Sequence, residues 1–294
     1  MISQKLLSNG GSSAVEHRGF TLYRSANGVA TTVEYHLPVS GTDGSLSNII
    51  KKFEIIDAQY RAYKRWGMSG IALSSPIETN YTTVFEGQRA YNNIGTINSS
   101  GLYDNPYYDT FSTKPLPARY TQLFVIDCMK EWFYTTTNEY SVPFKYTAHE
   151  RCTNLMNNTS TDSNGSVGCE AVKYCRSLTV GGATTTATKW DLPTRIQGMI
   201  IHAVADGIDE LDPTANSYSN YKLGYTNPQG RIAFAYQYHS SEHYAIRGLW
   251  TCEQYTANNT HAYSITGYYG SGVGWPYSDY KRYYGGVVPI RELS

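Results

Sequence analysis

Residues 249–294 read LWTCEQYTANNTHAYSITGYYGSGVGWPYSDYKRYYGGVVPIRELS. Two short apolar runs bound the stretch, Leu249-Trp250 and Val287-Val288-Pro289-Ile290. They have the length and β-branched content of the central and terminal strands of a small sheet. Between them lie many Tyr, Asn, Ser, Thr and Gly residues and few aliphatics. Antibody binding loops have such a composition: rigid aromatic rings make the contact and small polar residues adapt around them.

The wider chain repeats the theme. It has 28 tyrosines against 8 phenylalanines in 294 residues. A buried tyrosine must find a partner for its hydroxyl, so a packed core favours phenylalanine and aliphatics, whereas a wet surface favours tyrosine. Tyrosine used as strand filler is the competing explanation. Fourteen of the 28 fall between Tyr218 and Tyr284, in a segment built of short strands and loops. Clustering of that kind favours a surface.

Upstream, Pro193 and Thr194 open a helix through RIQGMIIHAVADGI, with Ile196, Met199, Ile200 and Ala203 as its buried stripe. The segment from Cys169 to Leu178 reads as another helix, with Val172 and Cys175 on one face. Polar runs at 153–166 and 181–189 read as loops, and 121–126 as a strand. Residues 75–120 are glycine-dotted and proline-punctuated, as loops and short strands are. Residues 46–66 place Ile49, Ile50, Phe53, Ile56, Tyr60 and Tyr63 at three- and four-residue steps, which predicts a helix capped by Ser45 or Ser47. Residues 20–38 read as two strands around an Asn27-Gly28 turn. The fold class is therefore α+β, with a β-rich first half containing one helix.

Four motifs occur in order: EAVKYCRSL, WDLPT, GLWTCEQY and VVPIREL. Together they resemble the formylglycine-generating-enzyme type of C-type lectin fold, and within it the C-terminal domains of variable proteins made by diversity-generating retroelements. Relatives carry approximately A-x-x-Y-C-x-x-L, W-x-L-P-T, W-S-S-S-E and V-R-P-V-R at these places. The resemblance covers about residues 145–294, so the chain divides into a β-rich supporting or attachment region at 1–145 and a lectin-like, ligand-binding domain at 146–294. Two departures stand out. Val288 occupies the place of the final strand's usual arginine, although Arg291 remains, and Thr251-Cys252 replaces the serine pair after the tryptophan.

In the retroelement family, adenine-directed mutagenesis diversifies codons of the last segment, and the altered side chains line an exposed ligand face. Carried over, the resemblance implies a ligand-binding set of Tyr255, Asn258, Asn259, His261, Tyr263, Ile265, Tyr268, Tyr269, Tyr277, Ser278, Tyr280, Tyr283 and Tyr284. Cys252 is a further variable position on this reading. Tyr263 and Ile265 alternate within a strand and are the members best placed to pack beneath the loops.

Residues for chemistry are sparse. A formylglycine-generating enzyme uses a cysteine pair to hold copper and attack its substrate, but Cys252 has no cysteine near it in the C-terminal segment. The five cysteines, Cys128, Cys152, Cys169, Cys175 and Cys252, match no zinc spacing. Cys169 and Cys175 fit core thiols, or one of them pairs with Cys152. His239 and His243 lie four apart in a strand-loop-strand context where that spacing does not converge. The acidic run from Asp206 to Asp212 has carboxylates enough for a structural calcium but lacks EF-hand spacing. No nucleophile elbow, Walker loop or dinucleotide fingerprint occurs. The expectation is a protein that is not an enzyme and needs no cofactor.

Lysine plus arginine and aspartate plus glutamate number 24 each, so no net charge draws the chain to nucleic acid or anionic lipid. No apolar run of about 18 residues predicts membrane insertion. The N-terminal residues show no apolar signal core. The expected partner is a protein or carbohydrate receptor on a cell surface, met from a phage tail or, with a leader removed, from a bacterial cell surface as an adhesin. Phage receptor-binding proteins are often trimers, which admits a homo-oligomer, but no heptads mark a coiled coil. A structural virion or pilus component is the reading from another class, and it predicts a hydrophobic assembly patch instead of a tyrosine face.

Overall fold

The tight turn at Asn27-Gly28 begins the first sheet. Gly28 has φ +73°, its amide donates to the Ser25 carbonyl at 3.0 Å, and Asn27 Oδ1 accepts from the Val29 amide. The turn joins β2 (Phe20–Arg24) to β3 (Ala30–Pro38), as the dipeptide predicts, and β1 (Val15–His17) lies on the outer edge of β2. The computed structural model describes residues 14–17, 19–38, 46–70, 158–185, 188–223, 225–226, 232–233, 248–254, 260–267 and 274–293. The strand read at 121–126, Cys128, Cys152, His239 and His243 lie outside them, as does the boundary at 145.

The helix expected at 46–66 is instead two strands, β4 (Leu46–Ile56) and β5 (Ala62–Arg65), joined through a single 3-10 turn at Ala58–Tyr60. The three- and four-residue spacing was met by a stronger, nonlocal pattern. β4 is hydrogen-bonded by β3 on one side and by β12 (Ile290–Leu293) on the other. Phe53 and Ile55 alternate on one buried face, whereas Ile50, a member of the supposed stripe, is 45% exposed. Paired Ile49-Ile50 and Ile55-Ile56 are β-branched and suit a pleated surface.

The first sheet thus runs β1-β2-β3-β4-β12. A second runs β10-β9-β8-β11-β5, from β8 (Leu249–Gln254), β9 (His261–Gly267), β10 (Gly274–Tyr280) and β11 (Tyr284–Val287). Its pairs are antiparallel except β8 with β11. A short pair, β6 (Tyr225–Thr226) with β7 (Ile232–Ala233), completes the described strands. Strands from residues 46–65 and from 249–293 therefore share both large sheets.

Three helices follow the motifs. The helix read at 169–178 is α1 (Glu170–Ser177), which buries Val172 and Cys175. Thr194 caps α2 (Arg195–Ala203) through a capping box: its hydroxyl accepts from the Gln197 amide and the Gln197 side chain accepts from the Thr194 amide. That exchange satisfies two of the orphan donors at a helix start. Val204 then breaks the run, and α3 (Ala205–Leu211) continues it. The predicted stripe of α2 is buried at Ile200 and Ala203. α2 lies across β8, β9 and β10, close enough that a Cβ on Gly198 would come 2.5 Å from Ile265 Cγ1.

Trp66, Trp190 and Trp250 are fully buried in one core cluster with Cys169, Val172, Cys175, Cys252 and Val287. Each indole also finds an acceptor, on Thr251, Val180 and Lys64 respectively, so the rings fix geometry as well as fill space. The WDLPT and VVPIREL motifs meet here. Asp191 and Ile290 exchange backbone hydrogen bonds, and the Arg291 guanidinium lies 4.6 Å from the Trp190 ring centroid while its Nε donates to Glu54. The acidic run is taken up by side chains of the first half: Asp206 faces His17, and Asp209 and Asp212 face the buried Arg61. Among the described residues no helix is long and apolar enough to cross a membrane. The described chain is a strand-rich α+β structure.

Candidate functional site

Residues 280–283 form the turn between β10 and β11, closed by the Tyr283 amide donating to the Tyr280 carbonyl at 2.9 Å. Its two middle residues, both cations, go opposite ways. Lys281 is fully buried, with its ammonium 4.7 Å from the centroid of the Trp66 ring, and its backbone bonds to Thr260, Trp66 and Gly67. Arg282 is exposed and lies across Tyr280 at 4.8 Å and Tyr283 at 5.5 Å. The inward lysine anchors the turn to the core, and the outward arginine rests against both rings.

Tyr280 is itself buttressed. The imidazole of His261 lies tilted against it at 4.0 Å, Tyr283 meets it edge-on at 5.4 Å, and the ring remains 39% exposed. These follow from register, since Tyr280 pairs with His261 across β10 and β9. Burial, then the charges of Arg282 and Lys281, hold the His261 imidazole below its usual value. Its Nδ1 shares a hydrogen with the Thr260 hydroxyl at 2.8 Å. Tyr284, one residue on, lies 5.3 Å beneath the guanidinium of Arg65, its cross-strand partner on β5.

A loop from 158–168 borders this end of the sheet. Asp162 folds it by accepting from the amides of Asn164 and Ser166 and by reaching Ser69 of the β5 side. Burial raises the Asp162 carboxyl, but those three amides and the Arg65 charge outweigh it and hold the group below its usual value. Asn164 Oδ1 accepts from Arg282 Nη1 at 3.5 Å, and Gly165 lies against Arg65, whose Nη1 would be 3.3 Å from a Cβ there.

Of the residues the sequence put forward, the structure brings His261, Tyr280, Tyr283 and Tyr284 together on this edge. Tyr263 and Ile265 are buried, at 6% and 0% exposure, and so do not belong to an exposed face. The cause is that β9 is covered on both sides: Ala262 and Ser264, on the alternate face, are buried as well. Cys252 likewise sits in the core. Tyr277 and Ser278 have their backbone in β10 opposite Ser264 and Tyr263, and their side chains lie outside the described residues. Tyr255, Asn258, Asn259, Tyr268 and Tyr269 lie wholly outside. Arg65, Arg282 and Asn164 join the edge without having been singled out. The flanking Tyr-Tyr pair offers a signal for Arg282, but nothing local marks Arg65, which arrives through β5. Set against known proteins, the chain matches no family model, no curated protein and no solved structure.

Proposed function

We propose that the chain is a ligand-recognition protein that presents a diversified tyrosine-rich face on a C-type lectin-like scaffold. It acts as a receptor-binding component of a phage tail or as an adhesin on a bacterial surface, and it catalyses nothing. The observation that carries the reading is the turn at 280–283, where tyrosines concentrated by the sequence stand on an edge anchored to the core through Lys281. Rigid aromatic area with little conformational entropy to lose is what a binding surface needs. The motif resemblance supports the same reading, and it supplies the expected partner, a protein or carbohydrate receptor on a cell.

Binding of fluorescently labelled protein to a panel of intact bacterial strains tests this. The wild type is expected to adsorb saturably to some strains, and a Tyr280→Ala/Tyr283→Ala double variant with an unchanged melting curve is expected to lose that adsorption at least tenfold. Equal adsorption by the variant, or none by the wild type on any strain, would remove the reading.

A further inference from the structure

Two of the chain's Asn-Gly pairs lie among the described residues, Asn27-Gly28 and Asn164-Gly165. Asparagine is a thermolabile residue. Before glycine its carboxamide carbon is open to the next backbone nitrogen, because no Cβ crowds the ring that would form. At that nitrogen the two turns are alike. Gly28 has φ +73° and donates to the Ser25 carbonyl at 3.0 Å, and Gly165 has φ +77° and donates to the Asp162 carbonyl at 3.0 Å. Both glycines are exposed and both asparagines half-buried. The turns differ at the carboxamide. Asn27 is held at both ends, its Nδ2 donating to Glu54 at 2.8 Å and its Oδ1 accepting from the Val29 amide at 3.0 Å. Turning it would take a donor from a buried carboxylate, which is costly. The Asn164 carboxamide has one contact, from Arg282 Nη1 to Oδ1 at 3.5 Å, and its Nδ2 has no acceptor among the described residues. A contact of that length is at the limit of a hydrogen bond and holds little.

We propose that Asn164 is a site of spontaneous deamidation, and that its product sets a carboxylate against Arg282 on the tyrosine edge. The Gly165 nitrogen bonds to Asn164 Cγ as the Cγ–Nδ2 bond breaks. The amide nitrogen leaves as ammonia, taking the proton that Gly165 gives up, and a five-membered succinimide remains between the two residues. Water then opens the ring at either carbonyl. One opening gives aspartate, and the other gives isoaspartate, whose backbone runs through the former side chain. Each product carries one carboxylate, so the edge gains a negative charge. Arg282 already faces this position while resting against Tyr280 and Tyr283. A charge-assisted bond to the new carboxylate replaces its long contact with a neutral amide. Asn27, in the same kind of turn, is the internal control, since only its carboxamide is restrained at both ends. The inference stands on the two turns and does not depend on the recognition reading.

The test ages the full chain at pH 8 and 37 °C, folded and in guanidinium chloride, and maps its peptides by mass spectrometry with separation of the isoaspartyl forms. In the folded chain Asn164 is expected to convert at least tenfold faster than Asn27. In denaturant, where both carboxamides are free, the two should convert at comparable rates. An Asn164 that stays intact, or an Asn27 that keeps pace with it in the folded chain, would overturn the site. A rate gap that persists undiminished in denaturant would overturn its structural cause. The Asn164→Asp variant then tests the charge. Its carboxylate should offset the Arg282 charge that, after burial, holds His261 down, so the His261 titration midpoint read by proton NMR should rise above that of the wild type. An unmoved midpoint would overturn the pairing with Arg282.

Discussion

Gly285 lies flat against the indole of Trp250, where a methyl group would come 2.6 Å from Nε1 and 2.8 Å from Cε2. The indole cannot retreat, since its Nε1 donates to the Lys64 carbonyl at 3.0 Å and the ring is fully buried. Gly285→Ala should therefore destabilise the chain by about 1–3 kcal/mol, as overpacking does, measured by urea unfolding. At the exposed edge, Arg282→Ala should raise the His261 titration midpoint towards the ordinary value of about 6.5, because it removes a neighbouring cation and leaves burial and Lys281. Proton NMR reads this directly, and an unmoved midpoint would mean that Arg282 does not face the ring. Asp162 has its folded pKa depressed, so its contribution to stability is present above the unfolded value and is lost as pH falls through the folded one. Its NMR midpoint should lie below the roughly 3.9 of a free aspartate. Burial pushes the Cys175 thiol well above its usual range, so alkylation at pH 8 followed by peptide mapping should leave Cys175 unmodified until the chain unfolds.

Elements were legible where a local device specified them. Thr194 with Gln197 is a capping pair visible in the sequence, and Thr194→Ala should cost about 1 kcal/mol through loss of the reciprocal bonds. Asn27-Gly28 specified its hairpin, and Val172 with Cys175 the inner face of α1. Residues 46–66 were misread because their fate depends on partners far away. β4 is held by Ile290–Leu293, more than 200 residues on, and β5 by Tyr284–Val287. Helical spacing in one segment carries no trace of those pairings. The same distance hid part of the site: Tyr280, Tyr283 and Tyr284 follow from tyrosine clustering, but Arg65 reaches them only through the β5–β11 pair. Tyr263 and Ile265 show the converse, since strand alternation suggested their burial and α2 with its close-approaching Gly198 supplies the cover.

Across the whole molecule, the first-half strands and the C-terminal segment are welded by buried charge as well as by shared sheets. Arg61 lies at 4% exposure between Asp209 and Asp212, donates to the Ile56 and Tyr221 carbonyls, and Asp212 also accepts from the Ala58 amide. Arg61→Ala would remove the cation from between Asp209 and the buried Asp212, leaving them only their hydrogen-bond donors, and should cost about 3–5 kcal/mol, visible as a large loss in thermal midpoint. In the turn at 280–283, Lys281 is buried in this framework while Tyr280 and Arg282 face outward. The most direct test is therefore to sequence the 3′ end of this gene from many clonal relatives. The account predicts substitutions at adenine positions concentrated in the codons for about residues 252–284. They should reach Tyr280 and Tyr283 and spare the buried Ile265, Asp279 and Lys281. A segment as invariant as the rest of the gene, or changes that fall on the buried positions as often as on the exposed ones, would contradict it.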